Sequence, residues 1–253
     1  MTDFASFSRH LDDVHKAARI VIEKKSSKAH WPPLISEKTG EDEIQISFAE
    51  PAVVWNAPMR GSSTGSRIKR TIVMSGHFSF SNNVLDKAGA NVEIYETAPA
   101  DNGGWSLTLL DAMHFDIEGK IFQTPFHPMF HVQFGKNKRI GEDDIRKIVC
   151  ELSRLRPDQV TMDRSLETPS RDIRIPTPQM DYMSVLAMVV ADYFCDSHSG
   201  KEVRTGFRNL LRKVMHASNP ARSSSQSRNL ENRWNPEKTG PFCASHWYQE
   251  SCM

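Results

Sequence analysis

What this chain lacks narrows it before any motif is read. Its apolar run at residues 185–190 is far short of the roughly 20 residues that a membrane-spanning helix needs. Its four cysteines, Cys150, Cys195, Cys243 and Cys252, form no dense framework, which favours a reducing compartment over secretion. Met1-Thr2-Asp3-Phe4 carries no basic segment followed by an apolar core, so no secretory leader is read and the expected address is the cytoplasm. Charge of one sign is also missing. A formal balance of +1 gives no global pull toward a polyanion or a membrane surface, and any electrostatic partner has to be recognised locally. The stretch Gly61-Ser-Ser-Thr-Gly65-Ser lacks the lysine and the following helix of a phosphate-binding loop. There is no prominent carboxylate pair and no internal repeat.

What remains is a chain of 253 residues, long enough for one substantial core, whose period changes midway. Phe4, Phe7, Leu11, Val14, Ala18 and Val21 recur at spacings of three and four and predict an amphipathic helix over 3–24. A loop is expected over 26–40. Ile44, Ile46 and Phe48 alternate with polar residues and predict a half-buried strand over 43–49, with another over 52–55. Residues 58–70 read as a basic loop. Ile72, Met74, Phe78 and Phe80 mark a long strand with Gly76 as a candidate bulge, and 92–95 a short one. After the turn at Asp101-Asn102-Gly103-Gly104, the residues Trp105, Leu107, Leu109, Met113, Phe115 and Ile117 read as one face of a strand interrupted at Asp111. A further strand is expected over 126–135. Helices follow at 142–155, stopped by Pro157, at 179–194, apolar nearly all round, and at 201–216, with 157–178 irregular. These readings give an α+β fold: an antiparallel meander covered on one face by helices, as one domain over 1–216. Residues 217–253 read as a polar, weakly structured tail that Trp234, Phe242, Trp247 and Tyr248 could anchor.

Phe126-His127-Pro128-Met129-Phe130-His131-Val132-Gln133-Phe134-Gly135 is unusually rich in histidine and aromatics. With a period of two, Phe130, Val132 and Phe134 face the core, and His127, Met129, His131 and Gln133 point the other way, outward. A hairpin with the preceding strand sets His114 near His131 and Asp116 near Met129. Two imidazoles and a carboxylate on one surface suit a divalent metal, or a histidine oriented by Asp116 as general base. A polar sheet face satisfies the same pattern, and a register error of two residues would disperse it. Together with Arg174-Ile175-Pro176-Thr177-Pro178-Gln179-Met180-Asp181, this stretch resembles a pattern in uncharacterised bacterial proteins. There an HPxxHxQFG strand precedes an RIPxPxMD segment and an apolar helix. The resemblance covers about the middle third of the chain; it implies a bacterial or mobile-element origin and names no reaction. His127-Pro-Met-Phe-His131 is also similar to histidine-dependent nucleotidyl transferases, without their close H-x-H core.

Three other features bear on function. Cys195-Asp-Ser-His198 and Cys243-Ala-Ser-His246 supply the ligand types of a structural Cys₂His₂ zinc site, with Cys252 as a spare. Arg204, Arg208 and Arg212 recur every four residues opposite the apolar face of the last helix, flanked by Lys201 and Lys213 and continued by Arg222, Arg228 and Arg233. Further cations cluster at Arg60, Arg67, Lys69 and Arg70 and at Lys136, Lys138 and Arg139. Such runs follow a phosphate backbone, and they also occur as ordinary solvated surface. Arg174 precedes a buried helix, where it would pair with Asp181, Asp192 or a sheet carboxylate, or hold a ligand phosphate. The expectation is a non-catalytic intracellular binding protein, an accessory subunit touching nucleic acid through its basic helix. The alternatives are a metal- or histidine-dependent phosphodiester hydrolase using His114, Asp116 and His131, and a structural partner subunit whose tail folds on another protein.

Overall fold

The computed structural model describes residues 4–59, 68–82, 84–117, 130–135, 140–165, 173–177, 180–216 and 219. The spacing of apolar residues in the first helix is realised in α1, Phe4–Glu23, which buries Phe7, Leu11, Val14, Ala18 and Val21 along one stripe. Two strands follow where a loop was expected: β1 is Lys28–His30 and β2 is Leu34–Lys38. Both are edge elements; β2 is exposed after Leu34, β1 is half-buried apart from Lys28, and Lys28, Glu37 and Lys38 put charge along them. They have the composition by which sheet edges resist further pairing, and periodicity does not reveal such strands.

The sheet is built around a meander. Strands β3 (Glu43–Phe48), β4 (Ala52–Ala57) and β5 (Lys69–Ser81) lead into β6 (Val84–Pro99), β7 (Trp105–Ile117) and β8 (Phe130–Phe134). The short strand expected at 92–95 is therefore the middle of a 16-residue one. The region read as irregular contributes β9 (Val160–Asp163) and the two-residue β10 (Ile175–Pro176). The order is β1-β4-β5-β6-β7-β8-β10, with the β2–β3 hairpin attached to the second half of β5. All pairings are antiparallel except that of β9, which runs parallel to the first half of β7.

Helices cover both faces. On one lie α1, α3 (Tyr182–Phe194) and α4 (Lys201–Val214), and their buried residues share a core with Ile72, Met74, Phe78, Val92, Phe115 and Phe130. On the other, α2 (Glu142–Ser153) brings Ile145, Ile148 and Val149 onto Val53, Val73, Tyr95, Leu107 and Leu109. The expected one-sided cover thus holds for three helices, and α2 adds a second, smaller core. A bulge makes this possible. In β7 the register with β6 slips between Asp111 and Leu109, so Leu110 is the extra residue. Residues of one parity therefore change sides. Leu107 and Leu109 reach the α2 core, while Phe115 and Ile117 reach the larger one, so the apolar residues of this strand do not share a face as expected.

Gly76 has no bulge. The slip between β5 and β6 falls between Ser79 and Phe80, where Asp86 of β6 is the extra residue, and Gly76 instead gives room, since a Cβ there would stand 3.0 Å from Cβ of Tyr182. Asp181 caps α3, with Oδ1 accepting from the backbone N–H of Met183 (2.8 Å) and of Ser184 (3.1 Å). Among the described residues no helix is long and apolar enough to cross a membrane.

Candidate functional site

Beyond the reach of α2, the second face of the sheet turns polar. The register places Asp116 opposite His131 and His114 opposite Gln133, with Asn91 of β6 on the other flank of His114. This is two residues from the expected pairing of His114 with His131. The offset tightens the cluster, because it sets the carboxylate of Asp116 between the two rings. Oδ1 lies 2.6 Å from Nε2 of His114, and Oδ2 lies 3.4 Å from Nε2 of His131. His127 and Met129 fall outside the described residues.

The strand alternation is as expected, with Phe130 and Val132 in the large core and His131 and Gln133 on the opposite side. The imidazoles do not look out into solvent, however. His114 and His131 are each 1% exposed. Asp116 is the open member, its side chain 22% exposed. Burial works against its ionisation, but the polar contacts and positive charge of the His114 and His131 rings outweigh that cost and hold its carboxyl well below the usual range. An ionised carboxylate has no proton to give, so it can only accept from the rings, and it stands in close contact with Nε2 of each. Nδ1 of His114 lies 2.7 Å from Oδ1 of Asn91, whose amide nitrogen donates to Oγ of Ser75 at 3.1 Å. His114 is therefore held at Nδ1 by Asn91 and stands with Nε2 against the carboxylate. His131 is the imidazole that the pair orients.

A second buried network adjoins this one on β6. The hydroxyl of Tyr95 donates to Glu93 at 2.6 Å, and the Arg164 guanidinium holds the other carboxylate oxygen at 2.5 Å and the carbonyl of Ile140 at 2.8 Å. Burial pushes the Glu93 carboxyl up, and Tyr95 and Arg164 pull it back only in part. Sequence reading missed Glu93 and Arg164. The available signal was a glutamate at a core-facing position of Asn91-Val-Glu-Ile-Tyr95, a place where an acid needs a partner.

The segments carrying the two short motifs are neighbours in the sheet. Ile175 pairs with Val132 and Pro176 with His131. Proline is tolerated there because β10 is an edge strand. Arg174 is exposed, and Asp181 is committed to the α3 cap, so the proposed Arg174–Asp181 pair is absent.

The remaining sequence candidates are dispersed. Arg204, Arg208, Arg212 and Lys213 are all exposed on α4, which has five cations and one acid in 14 residues. Arg204 donates to the carbonyl of Ser199 at 2.7 Å, and Lys213 pairs with Asp13 at 2.9 Å. Lys69 and Arg70 belong to strand β5 rather than a loop, and Arg70 pairs with Glu96 at 3.2 Å. Arg60, Arg67, Lys136, Lys138, Arg139, Arg222, Arg228 and Arg233 lie outside the described residues. So do Cys243, His246, Cys252 and the tail aromatics. Cys195, the C-cap of α3, has its thiol pushed up by burial and by the charge of Asp196, and His198 is exposed. Among the described residues no group of three or more His, Cys, Asp or Glu is arranged to hold a metal ion. Comparison with protein-family models, with curated proteins and with solved structures finds no match.

Proposed function

We propose that the chain is a histidine-dependent hydrolase acting on phosphodiesters through the cluster on the second face of its sheet. His131 handles the proton, Asp116 orients it, and His114 holds Asp116. The observation that carries this reading is the carboxylate clamped between two dry imidazoles at 2.6 and 3.4 Å, with its own side chain reaching solvent. A structural ion pair needs one imidazole. A second ring with a different environment on the same carboxylate is the arrangement by which a base is aimed. The test is hydrolysis of bis(p-nitrophenyl) phosphate and of short RNA. His131→Asn should lower kcat by about 100-fold or more, within the range of a lost general acid or base. Equal turnover in that variant, or no turnover of any diester by the parent chain, overturns the reading.

A second reading rests on a different observation. The five cations and one acid of α4 favour contact with a nucleic-acid backbone, as an accessory binding subunit. Because α4 packs on the first face and the histidine cluster lies on the second, a strand bound along Arg204, Arg208 and Arg212 would be separated from His131 by the sheet. The two readings are therefore tested separately. Gel-shift titrations of DNA and RNA over a salt series should show binding that weakens as salt rises. Changing those three arginines together to glutamine should abolish it. Salt-independent binding, or none at low salt, removes this reading.

A further inference from the structure

Hydrolysis of a diester requires two proton-handling groups. One takes a proton from the attacking water as its oxygen forms a bond to phosphorus, and the other gives one to the departing alkoxide as the old P–O bond breaks. His131 can serve as one of these. His114, 1% exposed and wedged between Asn91 and Asp116, is closed to a substrate, which leaves the second place to another residue.

The register supplies a candidate. His77 of β5 is paired with Gly89 of β6, and Gly89 is paired with Asp116 of β7, which is paired with His131 of β8. Directly paired residues share a face, so His77, Asp116 and His131 stand in one row with a glycine in the gap. The glycine is what lets the histidine in. A Cβ at position 89 would stand 2.4 Å from Cε1 of His77 and 3.0 Å from its Nδ1, so the ring lies across the strand where a side chain would otherwise be. Strands are spaced at about 4.8 Å, and a ring lying over Gly89 has crossed roughly the first of the two intervals that separate β5 from β7.

The next row of the same face is Gln45, Ser79 and Lys87. These residues, with Thr39 and Asp86, line a groove of about 460 Å³. Among the described residues lining this groove the charged ones are Lys87 and Asp86 from β6 and Glu43 from β3. Lys87 is the one cation among these lining residues and supplies the point charge for a phosphate, with Gln45, Ser79 and Thr39 as neutral polar partners and the two acids setting the limit on how much negative charge can enter.

We propose that His77 is a further acid–base residue of this site, the imidazole that faces a phosphodiester entering from the Gln45–Ser79–Lys87 groove and works as the counterpart of His131. The inference rests on the hydrolase reading and gives it its second proton group. The proton taken from water by one ring is matched by the proton the other gives to the leaving oxygen, and exchange with solvent restores both.

The experiment pairs two readouts on the full chain. Long-range ¹H–¹⁵N spectra of the histidine rings, recorded across pH, follow His77 directly. Asp116→Asn should lower its titration midpoint, the direction expected when a negative charge in the same row is removed. Gly89→Ala, which displaces the ring without changing any charge, should abolish that dependence. In the pH profile of kcat/KM, His77→Asn should flatten one limb while leaving the circular-dichroism spectrum unchanged. A His77 midpoint indifferent to Asp116→Asn, or two intact limbs in His77→Asn, overturns the proposal while leaving His131 in place. A parent chain that hydrolyses no diester removes the hydrolase reading, and the role proposed for His77 falls with it; the ring spectra then report only whether His77 and Asp116 are coupled.

Discussion

The two faces of one sheet are made from the same strands, yet they are stabilised differently. The face under α1, α3 and α4 is apolar over most of its area, with Phe7 holding its ring 4.8 Å from that of Phe78 and 5.7 Å from that of Phe80, edge to face, and its buried polar groups are few: the Asp181 cap and His15, whose Nε2 lies 3.0 Å from the Tyr182 hydroxyl. The face under α2 is apolar only at one end. At the other it buries Glu93, His114, His131 and Gln133. An apolar face is stabilised by area removed from water and has little pH dependence. A buried polar face is stabilised only while every group keeps its partner, so its stability is conditional on ionisation. The conditional face is the one where chemistry is placed.

Several changes would test this contrast. The largest effect belongs to the apolar face: Phe7→Ala should cost about 4 kcal/mol, the usual price of emptying an aromatic site, by a similar amount at pH 5 and pH 8 in urea titrations. Arg164→Ala should cost about 3 kcal/mol at neutral pH, because it leaves a buried carboxylate without its cation. Its sign with pH is defined. The folded state raises the Glu93 carboxyl, and losing Arg164 raises it further, so the folded state holds the proton more tightly than the unfolded chain does. Stability of the variant should therefore fall as pH rises through the folded value, and the penalty should shrink below the ordinary glutamate range. A pH-independent penalty would break the contrast.

Asp116→Asn should cost about 2 kcal/mol at neutral pH, the scale of hydrogen bonds to a charged group. Here the sign is opposite. The folded state lowers the Asp116 carboxyl, so its contribution is present above the unfolded value and is lost as pH falls toward the folded one. The variant and the parent should converge in acid. The smallest effect is expected on α4, where changing Arg204, Arg208 and Arg212 together should alter stability by no more than about 0.5 kcal/mol, since all three are exposed. A larger loss would show that the stripe is held by packing.

Much of the apolar face was legible in the sequence, because period and burial coincide there: the spacing of Phe7, Leu11 and Val14 and the alternation of Ile72, Met74, Phe78 and Phe80 gave the elements directly. The polar face was legible only in part. His114, Asp116 and His131 were brought together from alternation, but at an offset of two residues, since periodicity fixes which side a residue faces and not its partner. The first half of β6 was missed because Asp86-Lys87-Ala88-Gly89-Ala90-Asn91 looks like a loop. Its small and polar residues lie under His77 and beside His114. The β1 and β2 edges were missed for the complementary reason: of their residues Ala29 and Leu34 pack against the core, too few apolar positions to set an alternating pattern.

Leu110 carries a consequence out of proportion to its size. One supernumerary residue in β7 reverses handedness of exposure for everything on one side of it, so a single deletion there would not merely shorten the strand. It would turn Leu107 and Leu109 toward the wrong layer or else swing His114 and Asp116 into the oily one. The two ends of this strand are thus interlocked like the teeth of a vernier, and the molecule tolerates a polar chamber beside a hydrophobic one because the scale slips by one division between them.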